Sequence, residues 1–336
     1  MKLIGIDIGG TKCAVSLGET VNGGGVHVLH RCEARRSAGT APADMLAALS
    51  EDAKACIALA GENMPVGIGI SCGGPLDSRN GVILSPPNLP GWDAVQITSY
   101  LEQAIGLPAR LCNDANACAL AEWKMGAGQG CENMVFLTFG TGLGAGLILN
   151  GQLYEGASDM AGELGHIRLA VNGPVGYGKT GSFEGFCSGG GIAQLAKSMV
   201  LEQLQQGKSP ALCPTAEQLE ALTAERVGNA AKGGDPLAKA ILGRVGEYLG
   251  QGLSILIDLL NPERIVIGSI FARCQDEIWP SAQRVIERET LPAAREACAV
   301  LPCALKESVG DIAALMVAAY QFGNERENHV ERGNSR

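Results

Sequence analysis

Two stretches of the chain have one shape. "LIGIDIGGTKCAVSLG" (Leu3–Gly18) is an apolar run, a glycine turn and a second apolar run, and "MVFLTFGTGLGAGLILNG" (Met134–Gly151) repeats it about 130 residues later. Short apolar runs bounded by glycine read as buried strands, so each stretch predicts a strand–turn–strand hairpin. Two such hairpins predict two related α/β halves facing a shared cleft. "RIVIGS" (Arg264–Ser269) is a third buried strand, and it follows a helical run that stops at Asn261-Pro262. Between the hairpins, "MPVGIGISCGGPLD" reads as a strand ending in a turn, and "PARLCNDANACALAEW" as a strand leading into a helix over Ala115–Trp123. After Gly190 the chain turns helical, with helix plausible from Ile192. Thr215 with Gln218 has capping-box form, and Asp235-Pro236 suits an N-cap and first helical position. The last helix is drawn at about 305–322, with Asp311–Gln321 at its centre, and residues 323–336 as a frayed polar tail. Strands alternating with helices place the chain in the α/β class.

Composition narrows the function. At 336 residues, 46% hydrophobic and 18% charged, the chain is globular and long enough for two domains. A net charge of −9 argues against nucleic acid as a partner. No apolar run is long enough to cross a membrane, and Asp7 stands where a signal peptide would be apolar. The 12 cysteines include no CxxC pair and read as buried thiols of a reducing, cytoplasmic compartment. The 47 glycines signal tight turns or close backbone approaches.

The glycine turns carry the first chemistry. In "DIGGTK", Asp7 closes a strand, and Gly9 and Gly10 permit positive φ. The turn's N–H groups and the Thr11 hydroxyl, with Lys12 beside them, would meet phosphate oxygens. Asp7 would hold Mg²⁺ directly or through water. Gly140-Thr141-Gly142 in the second hairpin offers the same donors. Either turn alone also reads as an ordinary hairpin; the two together predict a nucleotide site. "GPVGYGKTGSFEG" (Gly173–Gly185) matches the phosphate-loop pattern at Gly173, Gly178, Lys179 and Thr180. A glycine-rich stretch comes after it where that motif needs an immediate helix, so the match is suspect. Asp114, at a helix start, reads equally as a cap or as a catalytic carboxylate. His166, on local sequence alone, reads as structural.

"IGIDIGGTK", "NDANACALAEW", "TFGTGLGAGLILNGQLYEGASDMAGELGHIRL" and "NPERIVIGS" stand in an order and spacing that resemble the ROK family of sugar kinases and sugar-responsive repressors, within the actin-like ATPase superfamily. The resemblance spans about Leu3 to Gln321. It implies two actin-like (RNase H-like) α/β domains around a nucleotide and sugar cleft, with domain one at 1–111 plus the C-terminal helix and domain two at 112–304. It makes Asp114 the catalytic base. Asn113, Glu163, His166 and Glu184 would contact the sugar, with Asn88 from "SPPNLPGWD". Gly268 and Ser269 would face the adenosine. The implied cofactors are ATP and Mg²⁺, and the implied assembly is a homodimer.

Most family kinases carry CxCGxxGCxE after their Gly-His pair, and its three Cys join the His on a structural zinc ion. Aligned on Glu184, the Cys positions hold Val175, Tyr177 and Ser182. The resemblance therefore implies no structural zinc, a loop held by Tyr177 and Phe183 as apolar anchors, and Lys179-Thr180 as variable positions that meet no phosphate. The repressor branch adds an N-terminal DNA-binding domain. Here the phosphate strand starts at Leu3, so a kinase is expected over a non-enzymatic sugar sensor. The expected reaction is ATP-dependent phosphorylation of a hexose at the 6-hydroxyl, glucose first, with N-acetylmannosamine, another amino sugar or a glucoside as the alternative.

Overall fold

The computed structural model describes residues 1–306 and 309–334. The chain divides into two compact units, Met1–Gly130 with Gly146–Ala161 and Ala304–Arg336, and Cys131–Ala145 with Gly162–Cys303. The boundary expected after residue 111 therefore lies later in the chain. Helix Asp114–Met125 packs on the C-terminal helix and stays with the first unit.

In the first unit the chain runs β1 (Lys2–Ile8), β2 (Lys12–Thr20), β3 (Val26–Arg31), β4 (Arg35–Arg36), α1 (Pro42–Leu59), β5 (Ile68–Cys72), β6 (Leu76–Asp77), β7 (Val82–Ile83), β8 (Val95–Gln96), α2 (Ile97–Ile105), β9 (Ala109–Asn113) and α3 (Asp114–Met125). Its main sheet has the order β3-β2-β1-β5-β9. β1 and β2 form the expected antiparallel hairpin, while β5 and β9 add in parallel. Side chains alternate across a strand. Ile4, Ile6 and Ile8 enter the core formed with Met45, Leu46 and Leu49 of α1. The opposite face of β1 and β5 carries Gly5 and Gly69, and the last helix lies against them.

Next come β10 (Met134–Phe139), β11 (Leu143–Leu149), β12 (Gln152–Leu153), β13 (Val175–Gly176), β14 (Lys179–Thr180), α4 (Phe183–Phe186), α5 (Gly189–Gln205), α6 (Ala224–Lys232), α7 (Pro236–Leu260), β15 (Arg264–Ile267), α8 (Ile270–Arg273), α9 (Gln275–Glu289), α10 (Pro292–Ala297), β16 (Ala299–Pro302) and α11 (Val309–Asn334). The second large sheet has the order β12-β11-β10-β15-β16, with β10, β15 and β16 parallel. The echo in the sequence is thus an echo of topology: a hairpin, then two parallel strands.

Local chemistry explains most element ends. Asp235 caps α7 by accepting from the Ala238 N–H at 2.8 Å. Pro236 follows as the first helical residue, and Asn261 closes the helix in the left-handed region (φ 44°) before Pro262. Three expectations fail. Thr215 makes no side-chain cap, and 216–221 is a 3-10 segment; Thr223 caps α6 instead, through the Arg226 N–H. Helix α5 starts at Gly189 rather than Ile192, because the Ser188 hydroxyl accepts from the Gly191 N–H at 3.0 Å. The tail expected to fray is helical to Asn334.

Glu122, fully buried on α3, pins this arrangement. Its carboxylate accepts from the N–H groups of Ala127 (2.8 Å), Ala304 (3.2 Å) and Leu305 (2.9 Å). It thereby ties the end of α3 to the segment that enters the last helix. Glu122→Ala should destabilise the chain by about 3 kcal/mol, since three hydrogen bonds to one carboxylate are lost. Glu122→Gln should cost less. Urea unfolding monitored by circular dichroism measures both.

Candidate active site

The first unit assembles an acceptor set around a glycine turn. β5 ends at Cys72, and Gly73-Gly74 follow it. A Cβ on Gly73 would stand 3.4 Å from Asn88 Nδ2 and 3.6 Å from Asp114 Oδ2, and one on Gly74 would stand 3.2 Å from Asn113 Nδ2. Asn88, Asn113 and Asp114 therefore converge on one spot that glycine leaves open. Asn113 is the N-cap of α3: its Oδ1 accepts from the N–H groups of Ala115 (2.9 Å) and Asn116 (3.4 Å). Capping by Asn113 releases Asp114 from that duty, although Asp114 Oδ1 still accepts from the Ala115 N–H at 2.8 Å. Solvent reaches Asp114, yet surrounding protein desolvates the carboxylate and pushes its pKa up, against the pull of the Ala115 N–H.

The turn after β1 belongs to the same set. The Gly9 N–H donates to the Lys12 carbonyl at 3.1 Å. Neither Gly9 nor Gly10 has the positive φ expected from the sequence. Glycine is required by close approach instead: a Cβ on Gly10 would stand 2.6 Å from the Asn88 carbonyl oxygen. The turn thus rests on the backbone of Asn88. Thr11 and Lys12 are exposed at its tip. Ser37 holds the turn from the other side, donating its hydroxyl to the Gly9 carbonyl (2.6 Å) and its N–H to the Thr11 carbonyl (3.0 Å).

Asp7 is pushed up to about 6, first by burial and then by the charges of Asp114 and Asp311; Arg31 and Lys12 oppose this. Arg31 is itself engaged by Asp311, Nε to Oδ2 at 2.6 Å. Negative charge at Asp7 is under-compensated. Oxygen donors carrying surplus charge suit a hard divalent cation such as Mg²⁺, so the residues fit that ion.

The second unit holds the other turn. The Gly140 N–H donates to the Gly142 carbonyl at 3.1 Å, and the Gly140 carbonyl accepts from the Gly189 N–H at 2.8 Å. Beside it lies a cavity of about 800 Å³, lined by Gly140, Thr141 and Ser269 and by residues the sequence alone does not point to, among them Thr223, Asn229, Lys232 and Arg273. Asn229 and Lys232 sit three apart on α6, a spacing that shares one helix face. Gly268, expected in this wall, lies behind it: its N–H donates to the Leu137 carbonyl at 2.9 Å. Ser269 (φ 54°) is the residue that reaches the cavity.

Glu163 and His166 are exposed at the two ends of a 3-10 turn. Glu184, on α4, accepts from the Leu143 N–H at 3.0 Å. A Cβ on Gly142 would stand 2.8 Å from Glu184 Oε2, so this residue buttresses the Gly140–Gly142 turn. "GPVGYGKTG" is a β-hairpin, β13 with β14. Tyr177 (φ 43°) and Gly178 (φ 73°) occupy the two left-handed positions of its turn. No helix follows Lys179-Thr180 directly, so the phosphate-loop match is coincidental. Lys179 serves the backbone instead, its Nζ donating to the His166 carbonyl at 2.7 Å. Arg168 Nη1 donates to the Thr180 carbonyl at 2.6 Å. Of the two expected anchors, Phe183 is buried, packed on Gly252, whereas Tyr177 is 67% exposed. The Tyr177 ring meets His166 edge-on, with centroids 6.3 Å apart. Val175 is exposed, and Ser182 is buried as the cap of α4.

The ROK family matches residues 3–322. The chain belongs to the ROK family. It is 33% identical over 271 residues to a glucokinase of Halalkalibacterium halodurans, covering 80% of this chain and 79% of the relative. Among solved structures it resembles a ROK family glucokinase from Streptomyces griseus in complex with glucose and AMPPNP (TM-score 0.71, 28% identity, 94% of this chain and 98% of that one). It also resembles a ROK family transcriptional regulator, a homologue of the Escherichia coli MLC protein (TM-score 0.79, 28% identity, 95% of this chain and 78% of that one). The fold of this ROK chain is the two-domain actin-like ATPase fold.

Two variants probe the electrostatics and the hairpin. Asp7 holds its proton more tightly folded, at about 6, than an unfolded Asp near about 4. Ionising it as pH rises through that window therefore costs stability, up to about 3 kcal/mol. Asp7→Asn removes the cost: it should match the wild type below about pH 4 and exceed its stability above about pH 7. Thermal unfolding across pH reads this, and a wild type more stable than Asp7→Asn at high pH would refute it. Lys179→Met should leave nucleotide affinity unchanged, because the contact of its ammonium is the His166 carbonyl; titration calorimetry with AMPPNP checks this, and a large loss of affinity would refute it.

Proposed function

We propose that this chain is an ATP-dependent sugar kinase, glucokinase-like, acting on the 6-hydroxyl of a hexose. The observation that carries the reading is the convergence of Asp114, Asn88 and Asn113 on Gly73-Gly74, with a base of raised proton affinity among neutral amides. Amides hydrogen-bond sugar hydroxyls without competing for the proton. A carboxylate lifted above its ordinary range accepts that proton more readily as the oxygen attacks. The glucose and AMPPNP complex of the Streptomyces griseus relative supports both substrates, AMPPNP being an analogue of ATP.

Phosphoryl transfer asks mainly for positioning and charge stabilisation. In this reading Asp114 orients the acceptor hydroxyl and takes its proton late. Backbone N–H groups of Gly10 and Thr11, and those of Thr141 and Gly142, would stabilise the charge that develops on phosphate. The 800 Å³ cavity of the second unit receives the adenosine. Asp7 would hold Mg²⁺, directly or through water, and the ion supplies neutralising charge on the phosphates. Glu163 and His166 contact the sugar, while Glu184 supports the second turn. Residues 163–184 hold no structural zinc, and the active form is a homodimer. Glucose is the first substrate to test, then N-acetylmannosamine, N-acetylglucosamine and allose.

A second reading, a sugar sensor without turnover, draws on the regulator of similar fold. A coupled assay with ATP across a panel of sugars decides between them, since a sensor turns over none. In the active case Asp114→Asn should keep sugar binding and lower kcat by roughly 10²–10⁴-fold. The acid limb of the wild-type kcat profile should lie above the ordinary carboxylate range, and the Asn variant should lack it. An Asn variant with turnover close to wild type removes Asp114 from its role.

A further inference from the structure

The first unit carries a second cluster of ligands, made of residues outside the proposed active site. His30 lies in β3, Cys32 just beyond it and Cys56 on α1. A ligand atom of each is within 4.8 Å of the other two, and the two Sγ atoms are 3.1 Å apart. Strand geometry brings them together. Residues two apart point to one face of a sheet, so His30 and Cys32 share a face. Arg31 between them turns the other way, to Asp311 of α11. Cys32 packs against the α1 core that contains Cys56.

We propose that His30, Cys32 and Cys56 bind one thiophilic metal ion of the zinc class. Two sulfurs on a tetrahedral zinc ion, each at about 2.3 Å, stand about 3.8 Å apart. Disulfide sulfurs stand about 2.0 Å apart. The observed pair lies between these values, and His30 decides the assignment: an imidazole has no part in a disulfide and is a common zinc ligand. Two thiolates with an imidazole select zinc or copper(I) over magnesium, so this is a different kind of site from Asp7. Buried Cys56 closes the inner side, while exposed His30 and half-buried Cys32 leave a route from solvent. Each thiol releases its proton to solvent as it binds.

The ion would fasten a strap. The Cys32 N–H donates to the Val15 carbonyl at 2.9 Å. Three residues on, β4 pairs with Lys12 and Cys13 of β2, and Ser37 grips the Gly9 and Thr11 carbonyls. Arg35 already ties this strap to α1 through both carboxylate oxygens of Asp52, at 2.5 and 2.6 Å. An ion shared by Cys32 and Cys56 adds a second tie, so its occupancy reaches the phosphate turn through a few named hydrogen bonds.

The test is independent of kinase activity. Untagged full-length chain is fully reduced, stripped with EDTA and dialysed against Zn²⁺, and bound zinc is measured by elemental analysis. Wild type and His166→Ala should each bind about one ion, while Cys32→Ser and His30→Ala should bind more weakly by at least the roughly 10–100-fold that losing an outer-shell partner costs. With Co²⁺ as probe, a thiolate-to-cobalt charge-transfer absorption should appear in the wild type and weaken in Cys32→Ser. His30 and Cys32 lie at or near the surface, so the test does not depend on a core Cys56 variant that fails to fold. No zinc uptake by the reduced wild type overturns the site, as does uptake that survives in both Cys32→Ser and His30→Ala. Recovery of Cys32 and Cys56 as a disulfide, in a chain that binds no zinc once reduced, overturns it equally.

Discussion

The first unit depends on one close approach. Helix α11 lies against β1 and β5 so tightly that a Cβ on Gly69 would stand 2.1 Å from the Ala314 carbonyl oxygen, and one on Gly5 would stand 2.9 Å from Leu315. No side chain fits at either position. Glycine costs conformational entropy in a strand, and burial of Leu315, Met316 and Ala318 in the helix offsets it. Because strand faces alternate, the same pleat sends Ile4, Ile6 and Ile8 into the opposite core. The start of α11 then arrives beside Asp7: a Cβ on Gly310 would stand 2.9 Å from Asp7 Oδ2. The chain's two ends are thus joined where the chemistry is proposed to occur.

That junction is electrostatically unfavourable when nothing else is bound. Burial first, and then the charges of Asp114 and Asp311, push Asp7 up, and Arg31 and Lys12 recover only part of the cost. A fold selected for stability alone would place an amide or an apolar side chain there. Surplus charge that the fold tolerates is a common mark of a site built for a cation or a proton. Asp114 shows the same economy on a smaller scale. Asn113 caps α3, so the neighbouring carboxylate need not, and one helix start supplies both structure and a proposed base.

What the sequence makes legible is whatever local chemistry decides. The two hairpins, the Asp235-Pro236 start of α7 and its end at Asn261 follow from strand periodicity and backbone preference, and they stand as read. Convergence across the chain is not legible. Gly9 and Gly10 look like positive-φ turn residues, yet neither has positive φ, and the need for glycine at Gly10 comes from Asn88, many residues away. Thr223, Lys232 and Arg273 share a cavity wall only after α6 and α8 are in place. Lys179 looks like a phosphate ligand and instead holds a carbonyl thirteen residues back. The family resemblance carried Asp114 and the sugar-side residues, because nothing in their local sequence separates a cap from a base.

In the Gly173–Gly185 segment Val175, Tyr177 and Ser182 stand where the family's usual ligands would be, and the loop makes contacts of another kind. A structural zinc ion contributes roughly 10–16 kcal/mol of apparent binding energy to the fold that surrounds it. Here the matching segment is a two-residue hairpin. It is joined to the Glu163–His166 turn by the Lys179 and Arg168 hydrogen bonds and by the edge of Tyr177. Each hydrogen bond is exposed and worth about 0.5–1.5 kcal/mol, and the ring contact about 1 kcal/mol. Such a clamp holds the turn by far less than a metal does: its two hydrogen bonds end on the backbone carbonyls of His166 and Thr180, and only the edge of Tyr177 meets the imidazole. In the proposed function, where no zinc holds the ring, either nitrogen of His166 would meet a sugar hydroxyl, which a ring bound to zinc through one nitrogen could do only with the other. On the proposal that no zinc sits in this segment, rigidity of the sugar turn is exchanged for a side chain with both ring nitrogens available.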